Sequence, residues 1–238
     1  SKVAYPMQDG STVEVTTVSA ADAGLTKAEK DASRVGMQLV PVLGSLPEGQ
    51  STAGITIART RQIFSAVKDP KLGANRRTAD HEVLHAYALA DHELQFQILD
   101  AIQDAGLDSE FDALYIRAMH LWAGRYQDLD PVTLQYQIEQ EVMAEARAGN
   151  TNLLGRDVKK ISSTVRQTVR AWEKNWDKAH KGTDPQSVRI SQPNAMDLAL
   201  RYQQRNGFRD GTSSPNEDID FSMFDETDAF DRYSLPQL

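Results

Sequence analysis

Cysteine is absent from the 238 residues of this chain, which excludes disulfide bonds and thiolate metal sites. A metal ion would have to be held by histidine, aspartate or glutamate, and the chain has only five histidines. Long apolar runs are also lacking, since none approaches the roughly 18 residues that a membrane-spanning helix requires. The first residues do not show the apolar core of a signal peptide. The sequence therefore predicts a soluble globular protein in which any metal has nitrogen and oxygen ligands.

The chain also has no excess of basic residues, since its acids outnumber its bases. The net charge of −8 is concentrated in the last 29 residues, from Asp210 onward, where eight acids face one base, Arg232. This acidic tail (residues 210–238) carries −7, so the part of the chain before it carries only −1. The overall acidity gives no information about a substrate, and the charge balance does not favour nucleic-acid binding.

The hydrophobic pattern predicts short strands first and helices later. Thr26, followed by Glu29, has the spacing of a helix cap, and Asp130 precedes a proline that suits a first helical turn. Strands are predicted within 11–18 and over 37–43 and 54–60, and helices over 20–34, 78–99, 110–125, 131–148, 157–180 and 195–204. We expect an α+β fold with a mostly helical body and a small N-terminal sheet. We expect an N-terminal segment (1–53), a core (54–182) and a C-terminal extension (183–238).

The sequence His81-Glu82-Val83-Leu84-His85 is an HExxH motif within a predicted helix. Residues four apart on an α-helix are offset by only about 40° and one turn, so both imidazoles can reach one metal ion. Glu82 is rotated by about 100° from His81, which suits a general base beside a metal-activated water better than a ligand. Chance would give about 0.005 such motifs in a chain of this composition. The motif therefore predicts a catalytic zinc site, and the alternative is a pair of surface histidines.

A catalytic zinc ion needs a third protein ligand, and two candidates compete. Glu141 and Glu145 lie four apart on one face of a predicted helix, so one of them could bind the metal while the other orients a histidine. Asp91 follows His85 at the spacing of metzincin proteins, which need a glycine to break the helix where this chain has Ala88. An unbroken helix would carry Asp91 about nine ångströms beyond His85. Glu141 is the favoured ligand, and Asp91 stays open.

The HExxH motif followed downstream by Glu141-Val142-Met143-Ala144-Glu145 resembles the gluzincin type of zincin metallopeptidase. The wider pattern over about residues 54–148 is similar to zincin-like domains of large phage and mobile-element proteins. The resemblance implies a zincin-like fold, Glu141 as zinc ligand and Glu145 as the acid that supports a histidine. It also implies hydrolysis of a peptide or protein substrate. The alternative that it implies is a structural or injected protein of a phage particle, which keeps the fold and docks on partners through its acidic tail.

Zinc lowers the pKa of a bound water towards about 7, and Glu82 is the expected acceptor of its proton. The developing oxyanion needs a second electrophile, for which His120, Tyr126 and Tyr136 are candidates. The predicted strand over 54–60 is either a sheet edge that pairs with an extended peptide or an ordinary inner strand. The sequence thus predicts a zinc endopeptidase with Glu82 as general base.

Two further segments suggest interaction surfaces. Residues 156–189 carry nine bases and four acids, with Trp172 and Trp176 one helical turn apart. Such a segment could bind nucleic acid, but a helix that buries its aromatic residues and solvates its charges is the favoured interpretation. The acidic tail has phenylalanines between its acids, and we expect it to dock on the basic helix or on a partner chain. A membrane partner is not expected.

Overall fold

The computed structural model describes residues 1–48, 52–68 and 74–209, and the acidic tail lies outside this part of the chain. The described residues form a mixed α/β structure that is mostly helical, with seven α-helices and two small sheets. The expected mixture of a helical body with little sheet is confirmed. None of the described helices is long and apolar enough to cross a membrane.

Two strands near the N-terminus form an antiparallel hairpin, and three others form a mixed sheet. The hairpin consists of β1 (Lys2–Pro6) and β2 (Thr12–Thr16). The second sheet has β5 (Gln62–Val67) in the centre, with β3 (Gln38–Leu43) parallel to it and β4 (Gly54–Ile57) antiparallel to it. The boundary expected after residue 53 therefore falls between two strands of one sheet.

The central strand β5 is missing from the sequence prediction. Five of its six residues are buried, so the strand shows no alternation of apolar and polar side chains. The prediction that a single strand runs over 54–60 is wrong at its end, since β4 stops at Ile57. A turn then returns the chain to β5, and Arg61 in this turn adopts a left-handed φ of 54°.

The helices of the N-terminal half differ from the predicted ones. Helix α1 (Thr26–Arg34) begins at Thr26, whose predicted role as N-cap is wrong because Leu25 occupies the cap position and its side chain makes no capping hydrogen bond. The single helix predicted over 78–99 is wrong, since α2 (Ala74–Ala90) and α3 (Glu93–Asp104) are separate. Between them the Asp91 carboxylate accepts a hydrogen bond from the Glu93 amide at 3.0 Å, which satisfies that amide outside a continuous helix.

The later helices follow the sequence prediction closely. They are α4 (Asp108–Trp122), α5 (Pro131–Ala148), α6 (Val158–Ala179) and α7 (Ala195–Gln204). The predicted cap of α5 is confirmed, because the Asp130 carboxylate accepts a hydrogen bond from the Thr133 amide at 2.8 Å. The pattern was readable here because strong caps and a proline mark where the chain enters α5.

Helix α2 lies at the centre of the interior and contacts both the three-stranded sheet and other helices. One side of α2 packs on β4 and β5, and α5 packs on another side. Helix α6 covers α5 and α3 in turn. Val83, Leu84 and Val142 are almost fully buried between these layers. The HExxH segment therefore lies between the three-stranded sheet and α5.

Candidate metal centre

The two histidines of the motif converge at their outer nitrogens. His81 and His85 lie one turn apart on α2, and their Nε2 atoms are 3.2 Å apart. Both side chains are buried, with 5% of each residue exposed. Two imidazole nitrogens at this distance repel each other unless a cation or a shared proton lies between them. The spacing is thus the one that the sequence predicts for a shared ligand.

Glu141 on α5 completes a group of three. Its carboxylate oxygens lie 3.2 Å from Nε2 of His81 and 3.6 Å from Nε2 of His85. The three candidate ligand atoms all lie within 4.8 Å of one another, and this is the group of potential metal ligands found among the described residues. Ligands about 2.0–2.1 Å from a tetrahedral ion are separated by roughly 3.3–3.4 Å. The observed separations fit a metal ion of that kind.

Asp91, the other candidate for the third ligand, does not belong to this group. Its carboxylate accepts hydrogen bonds from the Trp172 indole at 2.8 Å and from the Glu93 amide. Asp91 follows the last residue of α2, and these two hydrogen bonds connect the end of that helix to Glu93 of α3 and to Trp172 of α6. Its contacts are those of a structural residue.

The inner nitrogens of both histidines are held by side chains of α5. Nδ1 of His81 donates to the Glu145 carboxylate at 3.0 Å, and Nδ1 of His85 donates to the Gln140 carbonyl oxygen at 2.6 Å. With Nδ1 protonated in each ring, the lone pairs of both Nε2 atoms face the space between the rings. This arrangement fixes the tautomer that a metal ion requires.

Gln140 is a site residue that the sequence reasoning missed. Its amide nitrogen donates to Gln95 at 3.1 Å, and Gln95 in turn donates to the backbone carbonyl of Tyr136 at 2.9 Å. The orientation of His85 therefore depends on a hydrogen-bond chain between α2, α5 and α3. The available signal was the run of polar residues on a helix that is buried on nearly all sides, because buried polar groups need partners.

Glu82 points into the same buried region but is not part of the ligand group. Its Oε2 accepts a hydrogen bond from the Thr56 hydroxyl at 2.7 Å, while its buried Oε1 has no hydrogen-bond partner within the described part of the chain. Burial raises the pKa of Glu82, although the histidines and Thr56 oppose the shift. One oxygen is thus anchored and the other is available to accept a proton.

The carboxylates around the histidines make the electrostatic environment of the site favourable to positive charge. Burial alone would lower the pKa of His81, but Glu145 and Glu141 outweigh it and raise that pKa well above its usual value. Burial likewise opposes ionisation of Glu141, yet His85 and His81 lower its pKa to about 2. The centre therefore favours a bound cation, which is either a proton or a metal ion.

The three candidates for stabilising an oxyanion lie in different surroundings. Tyr126 is buried, and its pKa is raised by burial and then by the charges of Glu141 and Glu82, two acids of the centre. Tyr136 is also buried, on α5, where burial and the charge of Asp91 raise its pKa. His120 is exposed in the last turn of α4, away from the buried group. Tyr126 is thus the best placed of the three.

Comparisons with known proteins found no match to this chain. Neither protein-family models nor curated proteins nor solved structures give a match to this chain. The resemblance to zincin metallopeptidases stays a prediction, supported by the motif and by the convergence of its residues with Glu141 and Glu145.

Proposed function

We propose that this protein is a zinc-dependent endopeptidase in which His81, His85 and Glu141 hold the metal and Glu82 is the general base. The observation that carries the proposal is the convergence of three ligand atoms beside a buried carboxylate with one unpartnered oxygen. A metal-binding role alone would explain the ligands. It would not explain why Glu82 lies beside them with one buried carboxylate oxygen that has no hydrogen-bond partner among the described residues.

Zinc is the ion that the donor set favours. Two imidazoles and one carboxylate are the ligands of catalytic zinc in several hydrolases, and they leave a fourth position open. The separations of 3.2–3.6 Å suit a tetrahedral ion better than a larger, oxygen-preferring one such as calcium. When bound, zinc supplies Lewis acidity that activates water and polarises a carbonyl.

The residues of the chain supply the proton transfer. Thr56 holds one oxygen of Glu82, so the other oxygen stays available to take a proton from the attacking water. Because burial raises its pKa, the resulting acid is able to return this proton to the leaving amine. The buried phenol of Tyr126 can donate a hydrogen bond to the developing oxyanion.

An extended peptide is the substrate that the sheet favours. Strand β4 has one neighbour in the three-stranded sheet, and its Gly54 and Thr56 lie against Glu82. A peptide paired with its other edge would run past the general base. Since all four residues of β4 are buried, binding at this edge requires a local opening of the structure.

A structural metal site is the second candidate, because no residue of the ligand group is more than 5% exposed. Hydrolysis of a peptide library by zinc-loaded protein separates the two functions when it is compared with Glu82→Gln. We expect the variant to keep its metal and to lose activity by about 10²- to 10⁴-fold, the usual contribution of a general base. The exposed Glu29→Gln variant is the control. Equal activity of Glu82→Gln and wild type would overturn the peptidase proposal.

A further inference from the structure

A cavity of about 610 Å³ lies between α1, α2, α6 and the end of α5. None of the three candidate metal ligands lines it. Its walls carry two acids, Asp80 and Glu173, against six bases. The six bases are Lys27, Arg76, Arg77, Arg147, Arg166 and Arg170. We call this cavity and its continuation along α6 the basic groove.

The two acids of the groove do not neutralise it. Glu173 already accepts hydrogen bonds from Arg34 at 2.8 Å and from the Tyr87 hydroxyl at 2.7 Å. Asp80 lies 3.7 Å from Arg76, which is itself exposed. Lys27 and Arg147 pair with the buried Asp31 at 2.6 and 3.6 Å. The positive charge available to a ligand is therefore that of Arg77, Arg166 and Arg170.

Two arginines of the groove have no hydrogen-bonding or ion-pairing partner in the part of the chain that the structure describes. Arg77 and Arg170 are exposed, and neither forms a hydrogen bond or an ion pair with a described residue. With respect to the described residues, the donors of these two guanidinium groups are available to an anion, and guanidinium groups bind phosphate through paired hydrogen bonds.

Arg166 is held in place at the centre of the groove. Its Nε donates to the backbone carbonyl of Arg147 at 2.9 Å. One of its terminal nitrogens lies so close to Gly149 that a Cβ atom on that residue would clash with it. Gly149 ends α5 with a φ of 68°, so a glycine is needed both for the turn and for this approach. The Arg166 guanidinium is thus positioned without a carboxylate partner among the described residues.

The groove continues along α6. A neighbouring cavity of about 410 Å³ shares Gly149, Arg166 and Arg170 with the first one. It adds Lys159, Ser162, Ser163 and Gln167, so cations and hydroxyls recur every three or four residues on one helix face. From Lys159 to Arg170 this face spans about 16 Å at 1.5 Å per residue.

We propose that the basic groove binds the phosphate groups of a polyphosphorylated ligand. Guanidinium groups match the geometry of phosphate oxygens, and the Ser163 hydroxyl adds a neutral donor. Both cavities lie within the range of volumes typical of small-ligand sites, about 300–1,000 Å³. None of the residues lining them is aromatic, so the groove recognises phosphates rather than stacked bases. The proposal does not depend on the metal centre.

Calorimetric titration of the full chain tests the site, with inorganic tripolyphosphate, ATP and a short oligothymidylate as separate probes. We expect saturable binding that weakens with salt, and the tightest of the three probes identifies the source of the phosphates. Arg166→Gln and Arg170→Gln should each weaken binding by about tenfold. Arg189→Gln removes an exposed arginine outside the groove and should change the affinity less than about twofold.

Three outcomes would overturn the proposal. The first is that none of the three probes binds. The second is an equal loss in Arg189→Gln and in the groove variants, which would indicate diffuse attraction. The third is loss of binding in His85→Ala, since tripolyphosphate also chelates metal ions. A peptide of residues 210–238 that binds through Arg166 and Arg170 while no phosphate probe does would assign the groove to the acidic tail instead.

Discussion

Gly54 lies directly against Glu82. A Cβ atom on this glycine would be 2.7 Å from Cγ of Glu82 and 2.8 Å from its Oε1 oxygen. Real Cβ contacts do not become this short, so any side chain at position 54 must displace the acid. Two residues of strand β4 thus fix the position of the proposed general base. Gly54 leaves room for its side chain, and the Thr56 hydroxyl donates a hydrogen bond to it.

Replacement of Gly54 by alanine should lower peptidase activity by about 100-fold while the metal content stays unchanged. The reason is that a displacement of about 1 Å at a reacting group can cost two orders of magnitude in rate. The rate of peptide hydrolysis and the bound zinc are measured together. Gly124→Ala is the control, because its Cβ would meet only a side-chain atom at 4.0 Å. Unchanged activity in Gly54→Ala would argue against Glu82 as the base.

Glu145→Gln should weaken metal binding by about 10- to 100-fold, the usual effect of losing a partner of a metal-ligating histidine. The carboxylate of Glu145 accepts the proton of Nδ1 on His81 at 3.0 Å, and a neutral amide holds that tautomer less firmly. Competition with a chelator of known affinity measures the change. Glu29→Gln, an exposed substitution of the same kind, should leave the affinity at the wild-type value. An unchanged affinity in Glu145→Gln contradicts its supporting role.

Removal of the metal should lower thermal stability. A ligand that binds only the folded state at 100 times its Kd adds about 2.7 kcal/mol to the free energy of unfolding. Thermal unfolding is followed with and without a chelator, and wild type should lose several degrees in Tm on chelation. Glu141→Gln lacks one ligand and should show little response to the chelator. A response of the same size in both proteins would place the stabilising metal elsewhere.

The acid stability of the protein should depend on Asp31. Burial alone would raise the pKa of Asp31, but hydrogen bonds from Lys27 at 2.6 Å and Arg34 at 3.0 Å outweigh it and lower that pKa. A lowered pKa in the folded state means that the carboxylate stabilises the fold above its unfolded pKa of about 3.9. This stabilisation is lost as the pH falls through the lower, folded value.

Asp31→Asn should therefore reduce the free energy of unfolding by about 2 kcal/mol at pH 7, since it removes a buried carboxylate that accepts hydrogen bonds from two cations, Lys27 and Arg34. The difference from wild type should shrink as the pH falls below about 4. Urea unfolding at a series of pH values measures both effects. Asp104→Asn, at an exposed position in α3, should show neither. A difference that is constant with pH would contradict the ion-pair role.

The residues that the sequence predicted in the site are those set by local spacing. His81, Glu82 and His85 follow from helix geometry alone, and the four-residue spacing of Glu141 and Glu145 is again local. Gln140, Thr56 and Gly54 were missed because their roles arise from packing between α2, α5 and β4, which no spacing along the chain encodes. The choice between Glu141 and Asp91 likewise required the tertiary structure.

The same distinction applies to the fold. Helix α5 was predictable because Asp130 and Pro131 mark its start and Gly149 its end. Strand β5 was not, because a central strand buried on both faces lacks the alternation that identifies a strand. The break at Asp91 was missed since the apolar pattern continues through it, and only the hydrogen bonds of its carboxylate show where one helix ends.

The metal content of the purified full chain tests the central claim most directly. After exposure to zinc and dialysis, elemental analysis should find about one zinc ion per chain in the wild-type protein. His85→Ala, which removes one of the three converging ligands, should retain little or none, while His120→Ala, an exposed histidine outside the group, should match wild type. A wild-type protein that holds no metal, or a His85→Ala variant that holds as much as wild type, would contradict the account.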